Sequence, residues 1–121
     1  MIEVTETAID TAALQRSLEN PAAGGYCAFE GWVRNENDGQ VVERLEYEAY
    51  QPLVLVEGEK VIAEAREKYP FLEARCVHRV GLLELGECAV WIGVASKHRD
   101  VAFQACRYII DEIKGRLPIW K

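Results

Sequence analysis

The order in which strand-like and helix-like segments follow one another constrains the fold of this chain more than any other feature. A short strand and a helix come first, then two strands and a helix, then two strands and a last helix. A parallel sheet requires stricter alternation, because parallel neighbours need long crossover connections, whereas antiparallel neighbours are joined by short turns. The order predicts an α+β domain with a mostly antiparallel sheet and three main helices.

The first two helical segments are recognised by their start and stop residues. The stretch TAIDTAALQRSLEN matches a capping box from Thr7 to Asp10, with Asp in place of the usual Glu, and stops before Pro21. The stretch QPLVLVEGEKVIAEAREKYP has Pro52 near its first turn and closes before Pro70. The small or apolar residues predicted on one side of this second helix are Val54, Gly58, Val61, Ile62 and Ala65.

The third helical segment begins at about Ser96 or Asp100 and ends at Gly115. Pro118 prevents its continuation, because proline has no backbone N–H and its ring clashes with the preceding turn. Residues three and four apart form an apolar stripe that is predicted to pack against the core. The stripe consists of Ala102, Cys106, Ile109 and Ile113.

The strand-like segments are rich in aromatic and β-branched residues. IEV is the first of them, and YCAFEGWVR and VVERLEYEAY follow, joined by the polar stretch NENDGQ, which is predicted to be a flexible loop. FLEARCVHRVG and ECAVWIGVAS are the remaining two, and the intervening LLELGE is predicted to form a turn.

The length of the chain bounds its organisation. With 121 residues, half of them hydrophobic, the chain is long enough for one core and too short for two, so residues 1–121 are predicted to form one domain. The sequence has no charged-then-apolar leader and no apolar run near the roughly 20 residues that a membrane-spanning helix needs. We therefore expect a cytoplasmic protein without a membrane partner.

The four cysteines, Cys27, Cys76, Cys88 and Cys106, show neither a CxxC motif nor metal-ligand spacing, and two of them lie in apolar, strand-like runs. Buried reduced thiols are favoured over a disulfide or a zinc site, because a core of this size does not need a covalent or metal cross-link to be stable. No metal site is expected.

The charge is distributed unevenly. Residues 97–121 contain six Lys or Arg and three acidic residues, a balance of +3, while the rest of the chain contains eight against seventeen, a balance of −9. A general nucleic-acid-binding domain would be basic overall. An acidic body with a cationic C-terminal segment instead suits a local site for a small anion.

Candidate anion-binding residues occur at three places. Lys114 and Lys121 flank the proline break near the C-terminus, and Arg107, Asp111 and Lys114 are predicted to share one face of the last helix. His98 and Arg99 stand at the predicted start of that helix, where free backbone N–H groups already favour an anion.

Arg34 is the candidate at the third place, and each of these cations also has an ordinary structural interpretation. Arg34 ends a strand at the lip of a loop, a common place for a ligand contact but also for a solvated side chain. His98 can be a surface or capping residue, and Arg99 a surface ion-pair partner of little energetic value. His78, within a strand, is interpreted as a structural or cross-strand residue rather than a catalytic one.

Several motifs in this order resemble one known family over nearly the whole chain. FEGWVRN, LEYEAY, VHRVGLLELGE and SKHRDVAFQACRYIIDEIKGRLPIWK are similar to the catalytic (large) subunit of molybdopterin synthase, the MoaE family. The resemblance implies an α/β hammerhead fold and a homodimer of large subunits. It also implies a small ubiquitin-like, MoaD-like subunit bound to each, which gives a heterotetramer.

The resemblance further implies the chemistry. The small subunit carries sulfur as a C-terminal thiocarboxylate, and two sulfurs convert a small pterin phosphate, cyclic pyranopterin monophosphate (precursor Z), into the dithiolene of molybdopterin. No cofactor and no metal are implied at this step.

The resemblance assigns roles residue by residue. Lys114 and Lys121 match the active-site lysines, Arg34 the strand-end arginine, and His98 with Arg99 the pair that binds the substrate phosphate. Beside that arginine, Trp32 and Val33 are expected to contribute a wall or backbone contact. Phe29, also beside that arginine, is a candidate supporting residue. Arg107 and Asp111 are candidate supporting residues because of their spacing on the last helix, not because of the resemblance. The family usually continues for several residues after the Trp-Lys pair, whereas this sequence ends at Lys121.

Two other functions remain open on the residues alone. A noncatalytic anion-binding adaptor would use the same cationic segment and would bind phosphate ligands without sulfur chemistry. A phosphodiesterase is disfavoured, because the sequence contains no paired-carboxylate or metal-ligand constellation.

Overall fold

A computed structural model describes residues 1–121 of the chain, except for the side chain of Asn37. In chain order the elements are β1 (Ile2–Thr5), α1 (Thr11–Ser17), β2 (Gly25–Trp32), β3 (Glu36–Asn37), β4 (Gln40–Val41), β5 (Arg44–Ala49), α2 (Gln51–Lys68), β6 (Glu73–Arg79), β7 (Gly81–Glu84), β8 (Cys88–Ser96), α3 (Arg99–Arg116) and β9 (Ile119–Trp120). The predicted α+β class and three main helices are confirmed.

A four-stranded sheet in the order β1-β6-β8-β2 forms the centre of the molecule. Only the β1–β6 pair is parallel within this sheet, and β8 pairs antiparallel with both β6 and β2. The prediction of a mostly antiparallel sheet is therefore confirmed. Strand β8 is buried from Ala89 to Ser96, because it lies between two strands and is covered on both faces.

Helices α2 and α3 cover one face of this sheet and enclose the main core. All five residues that the helical spacing placed on one side of α2 are buried, as is the predicted stripe of α3. A β-carbon added at Gly58 of α2 would lie 2.2 Å from Cδ1 of Ile2, so glycine allows this close contact with β1. Arg116 of α3 also forms ion pairs with Glu57 and Glu64 of α2.

Helix α1 lies on the opposite face, where Leu18 packs with Trp91 and Ala95 of β8. The start of α1 differs from the prediction. Asp10 is the N-cap, and its carboxylate accepts a 3.0 Å hydrogen bond from the backbone N–H of Ala13. The capping box from Thr7 to Asp10 is therefore wrong, because Asp10 caps the helix itself instead of completing its first turn.

A second, three-stranded sheet has the order β7-β5-β9. Strand β7 covers the first half of LLELGE, which the sequence predicted only as a turn. Its first residue, Gly81, has a φ of 93°, a value that favours glycine. The predicted flexible loop NENDGQ contains the short hairpin β3–β4, whose turn at Asp38 and Gly39 has φ values of 52° and 79°. Both positive angles are typical of a type I′ hairpin turn.

Within the residues that the structure describes, no helix is both long enough and apolar enough to cross a membrane.

Candidate active site

A cavity of about 480 Å³ lies between the two sheets and the C-terminal half of α3. Most of the elements that form the two sheets contribute to its wall. The lining residues are Phe29, Gly31, Trp32, Arg34, Glu36, Leu45, Tyr47, His78, Ala89, Val90, Ile110, Ile113, Lys114, Leu117, Ile119 and Lys121.

Lys114 reaches the cavity from the edge of the apolar stripe of α3. It follows buried Ile113 and lies one turn after Ile110, and all three line the cavity. The buried stripe fixes the rotation of the helix about its axis, so the ammonium group is carried by a rigid element. The helix ends immediately afterwards, where the backbone N–H of Leu117 donates a 3.1 Å hydrogen bond to Ile113 O.

Lys121 is brought to the same cavity by strand β9. After the break at Pro118, Ile119 pairs with Ala49 of β5, and Tyr50 N donates a 3.2 Å hydrogen bond to Pro118 O. Ile119 also packs against the main core. The last residues of the chain are therefore held by backbone pairing and by one apolar side chain.

Arg34 follows strand β2 and lines the cavity with Phe29 and Trp32. The exposed fraction of Trp32 is 66%, and its indole N–H donates a 3.0 Å hydrogen bond to Glu30. Val33 points elsewhere: it is 3% exposed and packs with Leu83 and Ala89. Val33 thus anchors the segment that presents Arg34, while Trp32 is part of the wall.

The cationic side chains of the cavity are not engaged in ion pairs with the described residues. Arg34, Lys114 and Lys121 form no ion pair with any residue that the structure describes, although eight ion-pair contacts occur elsewhere. Glu36 is the acidic side chain in the wall, so three cations face one carboxylate, a side-chain balance of +2. A cavity with uncompensated cations attracts an anionic ligand.

Buried His78 and partly buried Tyr47 form an aromatic pair in the cavity wall that the sequence did not assign to the site. Their rings meet edge to face, with centroids 5.3 Å apart. Burial lowers the pKa of the His78 imidazole, partly opposed by its hydrogen bond to Arg79 O, and burial raises the pKa of the Tyr47 phenol. His78 pairs across strands with Val90, as its structural interpretation implied, but its ring also lines the cavity.

His98 and Arg99 do not line this cavity within one copy of the chain. They lie exposed at the N-terminal end of α3, where His98 is the N-cap residue. Arg99 and Lys114 are fifteen positions apart on the helix, which corresponds to about 22 Å at 1.5 Å per residue. The start of the helix packs closely against β2, since a β-carbon at Gly25 would lie 2.9 Å from the Cα of Arg99.

Arg107 and Asp111, predicted as supporting residues, form an exposed ion pair on α3 with an Nε–Oδ2 distance of 3.6 Å. Neither residue is part of the cavity wall. Lys114 is not paired with Asp111 among the residues that the structure describes. An exposed pair of this kind contributes little to stability.

The four cysteines are free thiols, with Cys76 and Cys106 buried. Burial raises the pKa of both thiols to about 12. In the part of the chain that the structure describes, no three His, Cys, Asp or Glu side chains are grouped as metal ligands.

Comparisons with known proteins agree in sequence and in fold. The sequence model of the family described as "MoaE protein" matches residues 4–116. The molybdopterin synthase catalytic subunit of Thermoplasma volcanium is 48% identical over 120 residues, which cover 99% of this chain and 88% of that protein.

Two solved structures resemble the whole chain. The crystal structure of molybdopterin synthase from Staphylococcus aureus superimposes with a TM-score of 0.92 at 36% identity, covering 98% of this chain and 86% of the other. The protein–protein complex of subunits 1 and 2 of molybdopterin-converting factor from Helicobacter pylori contains a chain of the same fold. Its TM-score is 0.81 at 24% identity, covering 98% of this chain and 81% of that one.

Proposed function

The chain belongs to the MoaE protein family, and from this premise we propose that it is the catalytic subunit of a molybdopterin synthase. It acts as a sulfurtransferase in molybdenum cofactor biosynthesis. Two sulfur atoms pass from the thiocarboxylated C-terminus of a small ubiquitin-like subunit to cyclic pyranopterin monophosphate, and the product is the dithiolene of molybdopterin.

The observation that carries this proposal is the convergence of Arg34, Lys114 and Lys121 on one cavity without ion-pair partners among the described residues. The thiocarboxylate and the cyclic phosphate are both anions. Two unit charges 4 Å apart repel by about 1 kcal/mol in water and by about 4 kcal/mol at the effective dielectric constant of a protein surface. Cations placed between the two anions offset this repulsion.

The three cations have different roles because different elements of the fold carry them. Lys114 is fixed on a helix and stabilises negative charge on the oxygen that leaves as sulfur adds to the substrate. The planar guanidinium of Arg34 suits a bidentate contact with the substrate phosphate. Lys121 closes the cavity from β9, and Phe29 and Trp32 form the wall beside the pterin.

The donor is the C-terminal tail of a MoaD-like partner. Arg34 and Lys121 are both exposed as well as lining the cavity, so an extended tail can reach the cations from outside. A thiocarboxylate at the end of that tail is a small anion of the kind that this cavity attracts.

His98 and Arg99 complete the site from a second copy of the chain. Within one copy they are about 22 Å from Lys114, estimated from the rise of the helix, and both are exposed at the end of α3. A homodimer of large subunits, each with a bound small subunit, allows the helix start of one copy to face the cavity of the other. The phosphate then meets the histidine and arginine of the neighbouring copy.

Combining the chain with thiocarboxylated small subunit and cyclic pyranopterin monophosphate tests this function. We expect dithiolene product, quantified by fluorescence after oxidation of the pterin, and two equivalents of small subunit with a free carboxylate. An anion-binding adaptor would bind the pterin phosphate in calorimetry and form no product, and that result would exclude the catalytic function.

A further inference from the structure

We propose that His78 is a catalytic residue of the cavity, where Nε2 accepts the proton of the water molecule that releases the small subunit from the substrate sulfur. This inference rests on the proposed function and assigns one step within it. It is carried by the position of the imidazole, which is buried, fixed in one tautomer and open to the cavity.

The tautomer of His78 is fixed by the backbone. The distance between Nδ1 and Arg79 O is 2.7 Å. A carbonyl oxygen only accepts hydrogen bonds, so Nδ1 carries the hydrogen and Nε2 of the neutral ring carries a free lone pair. The edge-to-face contact with Tyr47 and the pairing of β6 with β8 hold the ring in this orientation.

The free nitrogen opens to the cavity. Nε2 has no hydrogen-bond partner among the described residues. Among the described residues, the buried side-chain atoms that lack both a hydrogen-bond partner and solvent contact are Arg75 Nε and Arg79 Nε. Nε2 of His78 is not one of them, so it retains solvent contact. Because the His78 ring lines the cavity and is only 8% exposed, the remaining accessible edge belongs to the cavity wall.

The other polar groups of the cavity are poorer proton acceptors. Guanidinium and ammonium groups, as on Arg34 and Lys114, have donors and no lone pair to offer. Burial raises the pKa of the Tyr47 phenol, which keeps its proton on the oxygen. Glu36 lies exposed on the β3–β4 hairpin, so water solvates its carboxylate, whereas His78 lies in the interior wall.

Sulfur transfer creates a need for such a base. Once the thiocarboxylate sulfur has bonded to a substrate carbon, the small subunit and the substrate are joined by a thioester. Water attacks its carbonyl carbon, a C–O bond forms, and the acyl C–S bond breaks with its electron pair on sulfur. Nε2 takes one proton from the water, which leaves a carboxylic acid on the small subunit, a thiolate on the substrate and an imidazolium that returns the proton to solvent.

The ionisation of His78 also predicts that turnover falls in acid, where the imidazole becomes protonated and can no longer accept a proton. Burial lowers the pKa of the imidazole, so the ring is neutral at pH 7 and Nε2 has its lone pair available. The charged or titratable side chains that share its cavity are Arg34, Glu36, Tyr47, Lys114 and Lys121. Arg79, next in the strand, forms an ion pair with Glu87.

His78→Asn provides the decisive variant, because an amide N–H can keep the bond to Arg79 O while the basic nitrogen is lost. We expect turnover to fall on the order of a hundredfold or more, with a retained melting temperature. KM should fall with it, because hydrolysis of the adduct becomes the slow step. Intact-mass spectrometry should then show a covalent adduct of small subunit and substrate that hydroxylamine, which needs no base, cleaves. The acid limb of the wild-type pH–rate profile should disappear.

Val77→Ala is the matched control, because Val77 is the neighbouring buried residue of β6 and does not line the cavity. It should lose stability and keep its turnover. Full turnover by His78→Asn would overturn the proposal, and so would a slow His78→Asn protein that accumulates no adduct.

The ring nitrogens are measured separately by ¹⁵N NMR of the histidine side chains. We expect the tautomer with hydrogen on Nδ1 and a pKa below the ordinary value of 6.5. Hydrogen on Nε2 of the neutral ring would overturn the proposal without any assay of turnover. Failure of the wild-type protein to form dithiolene would instead remove the proposed function and the assigned step with it, whatever the tautomer.

Discussion

Ala49 of β5 and Ile119 of β9 face each other in a two-residue antiparallel pair. This pair fixes the chain after Pro118, because Ile119 also packs against the main core. Trp120, the next residue of β9, is 49% exposed. The position of Lys121 in the cavity wall therefore depends on the isoleucine and on backbone pairing.

Lys114→Ala should abolish most of the turnover while leaving the fold intact. Removing one preorganised cation from an anion site costs about 3 kcal/mol in the transition state, which is on the order of a hundredfold in rate. Product formation and the melting temperature are measured together. Lys60→Ala is the control, since Lys60 is an exposed lysine of α2 outside the cavity. Near-normal turnover of a folded Lys114→Ala protein would contradict the site.

Lys121→Ala should lower turnover and leave stability nearly unchanged, because an exposed lysine contributes little to folding. Ile119→Ala should lower both turnover and stability. The unfolding free energy should fall by about 1–2 kcal/mol, because this isoleucine is partly buried. Urea titration and turnover separate the two effects. If Trp120→Ala destabilises the protein more than Ile119→Ala, the described anchor is wrong.

Mixed dimers test whether His98 and Arg99 serve a second copy. Lys114→Ala and Arg99→Ala proteins, each impaired alone, should recover about a quarter of wild-type turnover when co-expressed, since half of the random dimers contain one intact site. The assay is run at low substrate concentration, where loss of a phosphate contact is most visible. No recovery in verified mixed dimers would place Arg99 outside the site.

Stability should fall in acid partly through Glu64. The hydrogen bond from Arg116 is the main cause that lowers the pKa of Glu64 below its ordinary value of 4.5. The stabilising contribution of this carboxylate is complete above pH 4.5 and is lost as the pH falls through the lower, folded-state pKa. Urea midpoints of Glu64→Gln should therefore depend less on pH below 4.5 than those of the wild type.

Glu67→Gln is the control for this pH effect, because Glu67 is an exposed glutamate of the same helix. Its acid profile should follow that of the wild type. Parallel profiles for Glu64→Gln and the wild type would mean that the ion pairs of Arg116 do not contribute to acid sensitivity.

Two glycines inside helices should respond to alanine in opposite directions. Gly115→Ala should raise the unfolding free energy by up to about 1 kcal/mol, because alanine is the better helix former and nothing lies within 4 Å of the added β-carbon. Gly58→Ala should lower it by about 1–3 kcal/mol, since Ile2 occupies the space. Thermal or urea unfolding of both variants decides the comparison.

Periodicity made the helices predictable. The buried side of α2 follows from spacing alone, because an amphipathic helix must bury its apolar stripe. Short strands were less accessible to prediction. The hairpin around Asp38 and strand β7 depend on backbone angles and on partners distant in sequence, and a polar or four-residue segment carries little periodic signal.

The site residues were predictable only where each of them lies in a local sequence motif. Lys114, Lys121 and Arg34 were selected from the sequence, and the structure brings these three to one cavity. The participation of His78 depends on β5 and β6 meeting across the two sheets, which no local pattern reports. The available signal was that the His-Arg dipeptide at residues 98–99 also occurs at residues 78–79. This repeat does not show whether His78 is a purely structural residue or lines the cavity.

Helix α3 acts as a spacer of fixed length between His98 with Arg99 at one end and Lys114 at the other. Each residue of an α-helix adds about 1.5 Å and about 100° of rotation. An insertion or deletion of a single residue between Arg99 and Lys114 would turn one of these charged ends by about 100° relative to the other, while leaving the composition almost unchanged. We therefore expect the length of this helix to be more strongly constrained than the identity of its exposed side chains.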